Sequence, residues 1–85
     1  MELLTIRNEI DAIDDGMLAL FSKRMDLAEQ VAEYKAQNAL PVLNKERERE
    51  ILARVTSGAG GRERYVHHLF STLFSLARAR QDELL

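Results

Sequence analysis

Apolar residues recur along the first third of the chain at spacings that alternate between four and three. One row runs Ile6, Ile10, Ile13, Met17, Leu20, then Arg24, then Leu27, Val31 and Tyr34. A second runs Leu18, Phe21, Met25, Ala28, Ala32 and reaches Lys35. This is the spacing of a helix with a buried face, and it predicts a helix over about residues 3–37. Gly16 interrupts the pattern without ending it, since a mid-helix glycine costs only ~1 kcal/mol against alanine. Residues 38–43, Asn-Ala-Leu-Pro-Val-Leu, read as an extended loop, because Pro41 pushes Leu40 out of the α region. Asn44 is a suitable N-cap for a second helix over about 45–57, with Ile51, Leu52 and Val55 on its apolar face. Gly58, Gly60 and Gly61 end it. A third helix over about 63–84 carries Val66, Leu69, Phe70, Leu73, Phe74 and Ala77, then Gln81 and Leu84. No window alternates in the manner of a strand. The expected fold is all-α, one long helix and two shorter ones, in a single domain over 1–85.

The long helix is too long for its own chain. About 34 residues span ~50 Å, whereas a globule of this size is only about 30 Å across. A chain of 85 residues is also marginal as a lone monomer. Two apolar rows on one helix need more covering surface than the remaining residues supply. The expectation is a homodimer in which the two long helices pack on each other.

Composition narrows the function classes. Hydrophobic residues make up 46% and charged residues 31%, a globular balance. Cysteine is absent, so disulfide staples and cysteine–zinc sites are excluded. Twelve Lys and Arg against fourteen Asp and Glu leave a net charge of -2, with no global basic field for nucleic acid or an anionic membrane. No stretch approaches the ~18 apolar residues of a membrane span, and Met1-Glu2-Leu3-Leu4-Thr5 does not begin like a signal peptide. The expected location is the cytoplasm.

The informative positions are those that break the apolar stripes. Arg24 sits in the middle of a face meant for burial, where five N–H donors need partners. Lys35, eleven residues on, lies on the same face, about 16 Å along. Arg47 and Glu48 open the second helix, Glu48 in line with Ile51 and Leu52, and Gln81 interrupts the third helix's stripe. Each has a plainer use. Arg24 could pair with a carboxylate across a dimer. Lys35 could favour the helix dipole and reach water. Arg47 and Glu48 belong to the alternating run 45–50, which reads as a solvated face. Gln81 could lie on the surface. Taken together, these residues describe a small polar pocket inside a helical bundle, suited to an anionic ligand. His67 and His68 are adjacent, hence ~100° apart on a helix, and make a poor metal pair. Gly58-Ala59-Gly60-Gly61 is a helix terminator and no phosphate cradle. Ser22, Ser71 and Ser75 have no paired base. Neither a metal nor a cofactor is expected.

The combined order of these features resembles a known family. The stretches are Ile6-Arg7-Asn8-Glu9-Ile10-Asp11-Ala12-Ile13-Asp14, Leu20 to Ala28 around Arg24, Val31-Ala32-Glu33-Tyr34-Lys35, Pro41-Val42, Glu46-Arg47-Glu48-Arg49-Glu50, and the late Gln81. They resemble the all-helical chorismate mutases, particularly the small bacterial type fused in some relatives to prephenate dehydratase or dehydrogenase. The resemblance implies an intertwined all-α homodimer with two identical sites that rearrange chorismate to prephenate. It implies that Arg24 and Arg47 bind substrate carboxylates, joined by Arg7 from the partner subunit. It assigns Lys35 and Gln81 to the ether oxygen and Glu48 to the ring hydroxyl. Asn44 stands where the family pattern has an aspartate near that hydroxyl. Ala77 stands where a serine often helps a carboxylate, a hydrogen bond that is then either missing or supplied by Arg80 or water.

The reaction breaks one carbon–oxygen bond and forms one carbon–carbon bond within a single molecule. It needs no nucleophile, proton transfer or metal. A site for it holds a flexible dicarboxylate in the folded conformer and stabilises negative charge on the ether oxygen. Two alternatives remain on the sequence alone. One is an isochorismate–pyruvate lyase of the same fold, which the loop over 36–44 fits less well. The other is a dimeric helical interaction module without chemistry, which predicts Arg24 satisfied by protein carboxylates.

Overall fold

Three helices account for nearly the whole chain. A computed structural model describes residues Met1–Leu85. Its helices are α1 (Leu3–Gln37), α2 (Lys45–Ser57) and α3 (Glu63–Leu84), with no strand. The three ranges coincide with those expected from periodicity and caps.

The ends form for local reasons. At the C-terminus of α1 the Leu40 N–H reaches back to the Lys35 carbonyl at 2.9 Å, the closure of a Schellman turn. Ala39 takes the left-handed conformation this turn needs, with φ 53°, a position that favours glycine. Ala39→Gly is therefore expected to stabilise the fold by about 0.5–1 kcal/mol, read as a rise in thermal midpoint of a few degrees. At the start of α2 the Asn44 side chain accepts from the Arg47 N–H at 3.0 Å, and Glu46 and Glu48 suit the positive end of the dipole.

Helix α3 packs against both α1 and α2, while α1 and α2 do not touch. The result is a gap between α1 and α2 floored by α3. Ala28 and Ala32 of α1, Ile51 of α2 and Phe74 of α3 are buried along this seam. The small alanines let α3 approach α1 closely, and Phe74 fills the space below the gap.

The two rows of α1 meet different fates. The second row becomes buried or half-buried from Phe21 onward, through Met25, Ala28, Ala32 and Lys35, while Leu18 at its start stays exposed. Of the first row, Arg24, Leu27 and Val31 border a cavity against α2 and α3, and the residues before them are left uncovered. Every residue from 1 to 20 is exposed, with Ile10 at 49%, Ile13 at 61% and Leu20 at 70%. The molecule measures 54 × 24 × 14 Å, and α1 alone supplies the long dimension at ~1.5 Å per residue. Its accessible surface is 6729 Å², against about 5,100 Å² for a compact monomer of this mass. The excess lies largely on an apolar helix face, the kind of surface that marks an interface.

Candidate active site

The gap between α1 and α2 is a cavity of about 320 Å³. Arg24, Leu27, Ala28, Val31 and Lys35 enter it from α1, Asn44, Arg47, Glu48 and Ile51 from the start of α2, and Phe74, Ala77, Arg78 and Gln81 from α3. Six of the seven residues expected to form a site are thus brought together from three parts of the chain. Arg7 is the exception. It lies on the free half of α1, seventeen residues from Arg24 and hence ~25 Å along the helix.

Each polar side chain is held in a defined way. Lys35 Nζ donates to the Val42 carbonyl at 2.6 Å and to Gln81 Oε1 at 3.4 Å. The first bond ties the loop after α1 over the pocket; the second joins α1 to α3 across 46 residues of sequence. Lys35 therefore turns inward, against the plainer reading in which it reaches water. Gln81 is 6% exposed, so the surface reading fails for it as well. Its Oε1 accepts from Lys35, and its amide N–H groups have no protein acceptor and remain available to a ligand.

Arg24 makes no ion pair within the chain. Its guanidinium lies 5.9 Å from the centroid of the buried Phe74 ring, a distance at which cation and ring attract. Phe74 orients the charge without neutralising it. Arg47 lines the rim, where Nη1 is paired with Glu50 at 2.8 Å, and its side chain is 54% exposed. The solvated-face reading of residues 45–50 is thus right for Glu50 and incomplete for Arg47 and Glu48, which border the cavity.

Two features depart from expectation. Arg80 does not supply the hydrogen bond that Ala77 lacks, because it points to the other side of α3. There it pairs with Glu29 at 2.8 Å and Glu83 at 3.0 Å. The bond to Glu29 first, and that to Glu83 next, raise its pKa above the usual guanidinium value, so it is a permanently charged strut between α3 and α1. The cation that does enter the cavity from this helix is Arg78, which pairs with Glu48. Sequence reasoning missed it. The available signal was its spacing: residues 74, 77, 78 and 81 lie along one helical stripe.

The cavity is therefore lined by four cations and one carboxylate. Arg78 takes the carboxylate and Arg47 has Glu50, which leaves Arg24 and Lys35 without an anionic partner. Two unneutralised cations in a part-buried cavity with a buried amide donor between helices suit a small dicarboxylate.

Fold and pocket define an all-helical protein with a cationic small-molecule site between two helices. The chain belongs to the chorismate mutase type II family, whose pattern it matches over residues 6–82. It is 43% identical over 54 residues to a bifunctional chorismate mutase/prephenate dehydratase of Aquifex aeolicus, covering 64% of this chain and 15% of that protein. It is 35% identical over 86 residues to the protein of the same name in Escherichia coli K12, covering 98% of this chain and 22% of that protein. A chorismate mutase of Methanocaldococcus jannaschii is 43% identical over 54 residues, covering 64% of this chain and 54% of that protein. The chain thus spans less than a quarter of the bifunctional relatives and about half of the archaeal one. No helix is long and apolar enough to cross a membrane.

Proposed function

We propose that this domain catalyses the rearrangement of chorismate to prephenate, in the biosynthesis of phenylalanine and tyrosine. The observation that carries the reading is the meeting of Lys35 and Gln81 beside an unpaired Arg24 in one cavity. Arg24 and Arg47 take the substrate's two carboxylates, which draws the flexible side chain over the ring into the reactive conformer. Lys35 and the Gln81 amide donate to the ether oxygen, where negative charge grows as the carbon–oxygen bond lengthens. Donors fixed in advance in a part-buried cavity stabilise such charge by several kcal/mol in favourable cases. Glu48 accepts from the ring hydroxyl, with the Asn44 position beside it. No proton is transferred in any step.

The site is completed by a second copy of the chain. Two observations support this: the uncovered early part of the apolar row of α1, and the ~25 Å that separates Arg7 from its own pocket. In an antiparallel pairing of two such helices, the free half of one lies over the other's pocket, and Arg7 becomes a third ligand for the substrate carboxylates. The location proposed is the cytoplasm.

The test is to add chorismate to the purified protein, follow loss of its conjugated-diene absorbance and identify the product. Prephenate is the expected product. Release of pyruvate from isochorismate, with chorismate untouched, would instead establish the lyase. Gln81 carries no ionisable proton and the reaction moves none, so kcat is expected to stay level from about pH 6 to about pH 9. A steep loss of kcat across that range would count against the roles assigned to Lys35 and Gln81.

A further inference from the structure

Arg78 is the one cation of the cavity that no part of the proposed reaction uses. Its guanidinium projects from α3 and pairs with the Glu48 carboxylate of α2, through Nη1 and Oε2. A second nitrogen lies 3.4 Å from the Ser75 hydroxyl, one turn back on the same helix. The side chains of Arg78 and Glu48 are only 32% and 25% exposed, whereas the rim pair Arg47–Glu50 is 54% and 66% exposed. The inner pair is therefore the less screened of the two.

Its placement poses an electrostatic problem and solves it. Glu48 is the only carboxylate that lines the cavity. Left alone, it would repel a dianionic substrate and would attract Arg47, its neighbour on the same helical turn. Paired with Arg78, its charge is cancelled and one oxygen is held toward α3. Its second oxygen stays free to accept a hydrogen bond. Lys and Arg side chains elsewhere in the cavity then act on the substrate and not on Glu48.

We propose that Arg78 is a positioning residue that sets substrate affinity: by holding and neutralising Glu48, it lets the cavity accept a dianion while keeping a carboxylate oxygen for a substrate hydroxyl. The inference rests on the mutase reading above. It distinguishes Arg78 from a simple strut between α2 and α3, which would affect stability and leave substrate affinity alone.

The experiment is a set of steady-state measurements with chorismate on the wild-type chain, Arg78→Gln, Arg78→Met, Arg78→Lys, Glu48→Gln and the double variant Glu48→Gln/Arg78→Gln. Circular dichroism identifies which of the two neutral Arg78 variants is folded. The folded one is expected to raise KM about 10-fold or more, with a much smaller change in kcat. Arg78→Lys, which keeps the charge, is expected to recover most of that loss. The double variant is expected to have a lower KM than the Arg78→Gln single, because the unpaired carboxylate is gone. A KM within about 2-fold of wild type in the neutral variant overturns the proposal. So does a double variant whose KM effect is the product of the two single effects. Wild-type protein that makes no prephenate removes the mutase reading and this inference together. Wild-type turnover with an unaffected neutral variant removes the role of Arg78 alone.

Discussion

Lys35→Ala and Arg24→Ala are each expected to lower kcat/KM for chorismate by about 100-fold or more, with helical circular dichroism retained. The effects should divide differently. Lys35 Nζ stands beside the buried Gln81 amide, where on the proposed mechanism charge develops only as the ether bond breaks. Its loss should fall mainly on kcat, since that interaction strengthens in the transition state. Arg24 has no protein carboxylate to release and faces the cavity over Phe74. Its loss should raise KM and also lower kcat, because a substrate held by fewer cations visits the reactive conformer less often. Neither side chain carries much of the fold: the seam of α1 against α3 is built on Ala28, Ala32 and Phe74. The one structural cost in Lys35→Ala is the bond to the Val42 carbonyl at 2.6 Å, which would loosen the loop before α2. Near-normal turnover in either variant would remove that residue from the site.

Arg7→Ala is expected to be as damaging as Arg24→Ala, and the two inactive proteins should restore activity when mixed. The reason is geometric. If Arg7 serves the partner's pocket, a mixed dimer holds one pocket with an intact Arg24 and an intact Arg7 donated by the other chain. Its second pocket lacks both. Random reassociation makes about half of the dimers mixed, so about a quarter of wild-type activity should return. Sedimentation equilibrium on the same samples should give twice the 9.7 kDa chain mass. A folded monomer at micromolar concentration, or a mixture that stays inactive after confirmed subunit exchange, would confine each site to one chain.

The helices were legible because their signals are local. The four–three spacing of apolar residues, Pro41, Asn44 and the glycines at 58, 60 and 61 state where each helix begins and ends. The cap on Asn44 forms as its residue type suggests. The pocket was legible for a related reason. A charged or amide side chain in an apolar stripe must be satisfied by something, and Arg24, Lys35, Glu48 and Gln81 each broke a stripe. Arg78 broke none. It follows Ala77 at the edge of the α3 stripe, where an arginine reads as an ordinary surface residue. Only the approach of α2 to α3 gives it Glu48 as a partner. Arg80 shows the converse. Two residues further along the same helix it lies ~200° round, so an arginine that looks equally available in the sequence is committed to Glu29 and Glu83.

Sequence alone therefore determined what depends on periodicity: three helices, their limits, the surplus length of α1, and a set of polar residues that interrupt buried faces. It also carried the pattern that the family match over residues 6–82 makes plain. Tertiary structure decided what depends on distance between separate elements. Because α3 touches both other helices and they do not touch each other, a cavity opens between α1 and α2. Lys35 meets Gln81 across it, Glu48 is neutralised by Arg78, and Arg24 is left charged and unpaired. Residue spacing sets the angle of a side chain about its own helix. Which of two neighbouring arginines lines a site and which braces its outside is set by where the next helix lies.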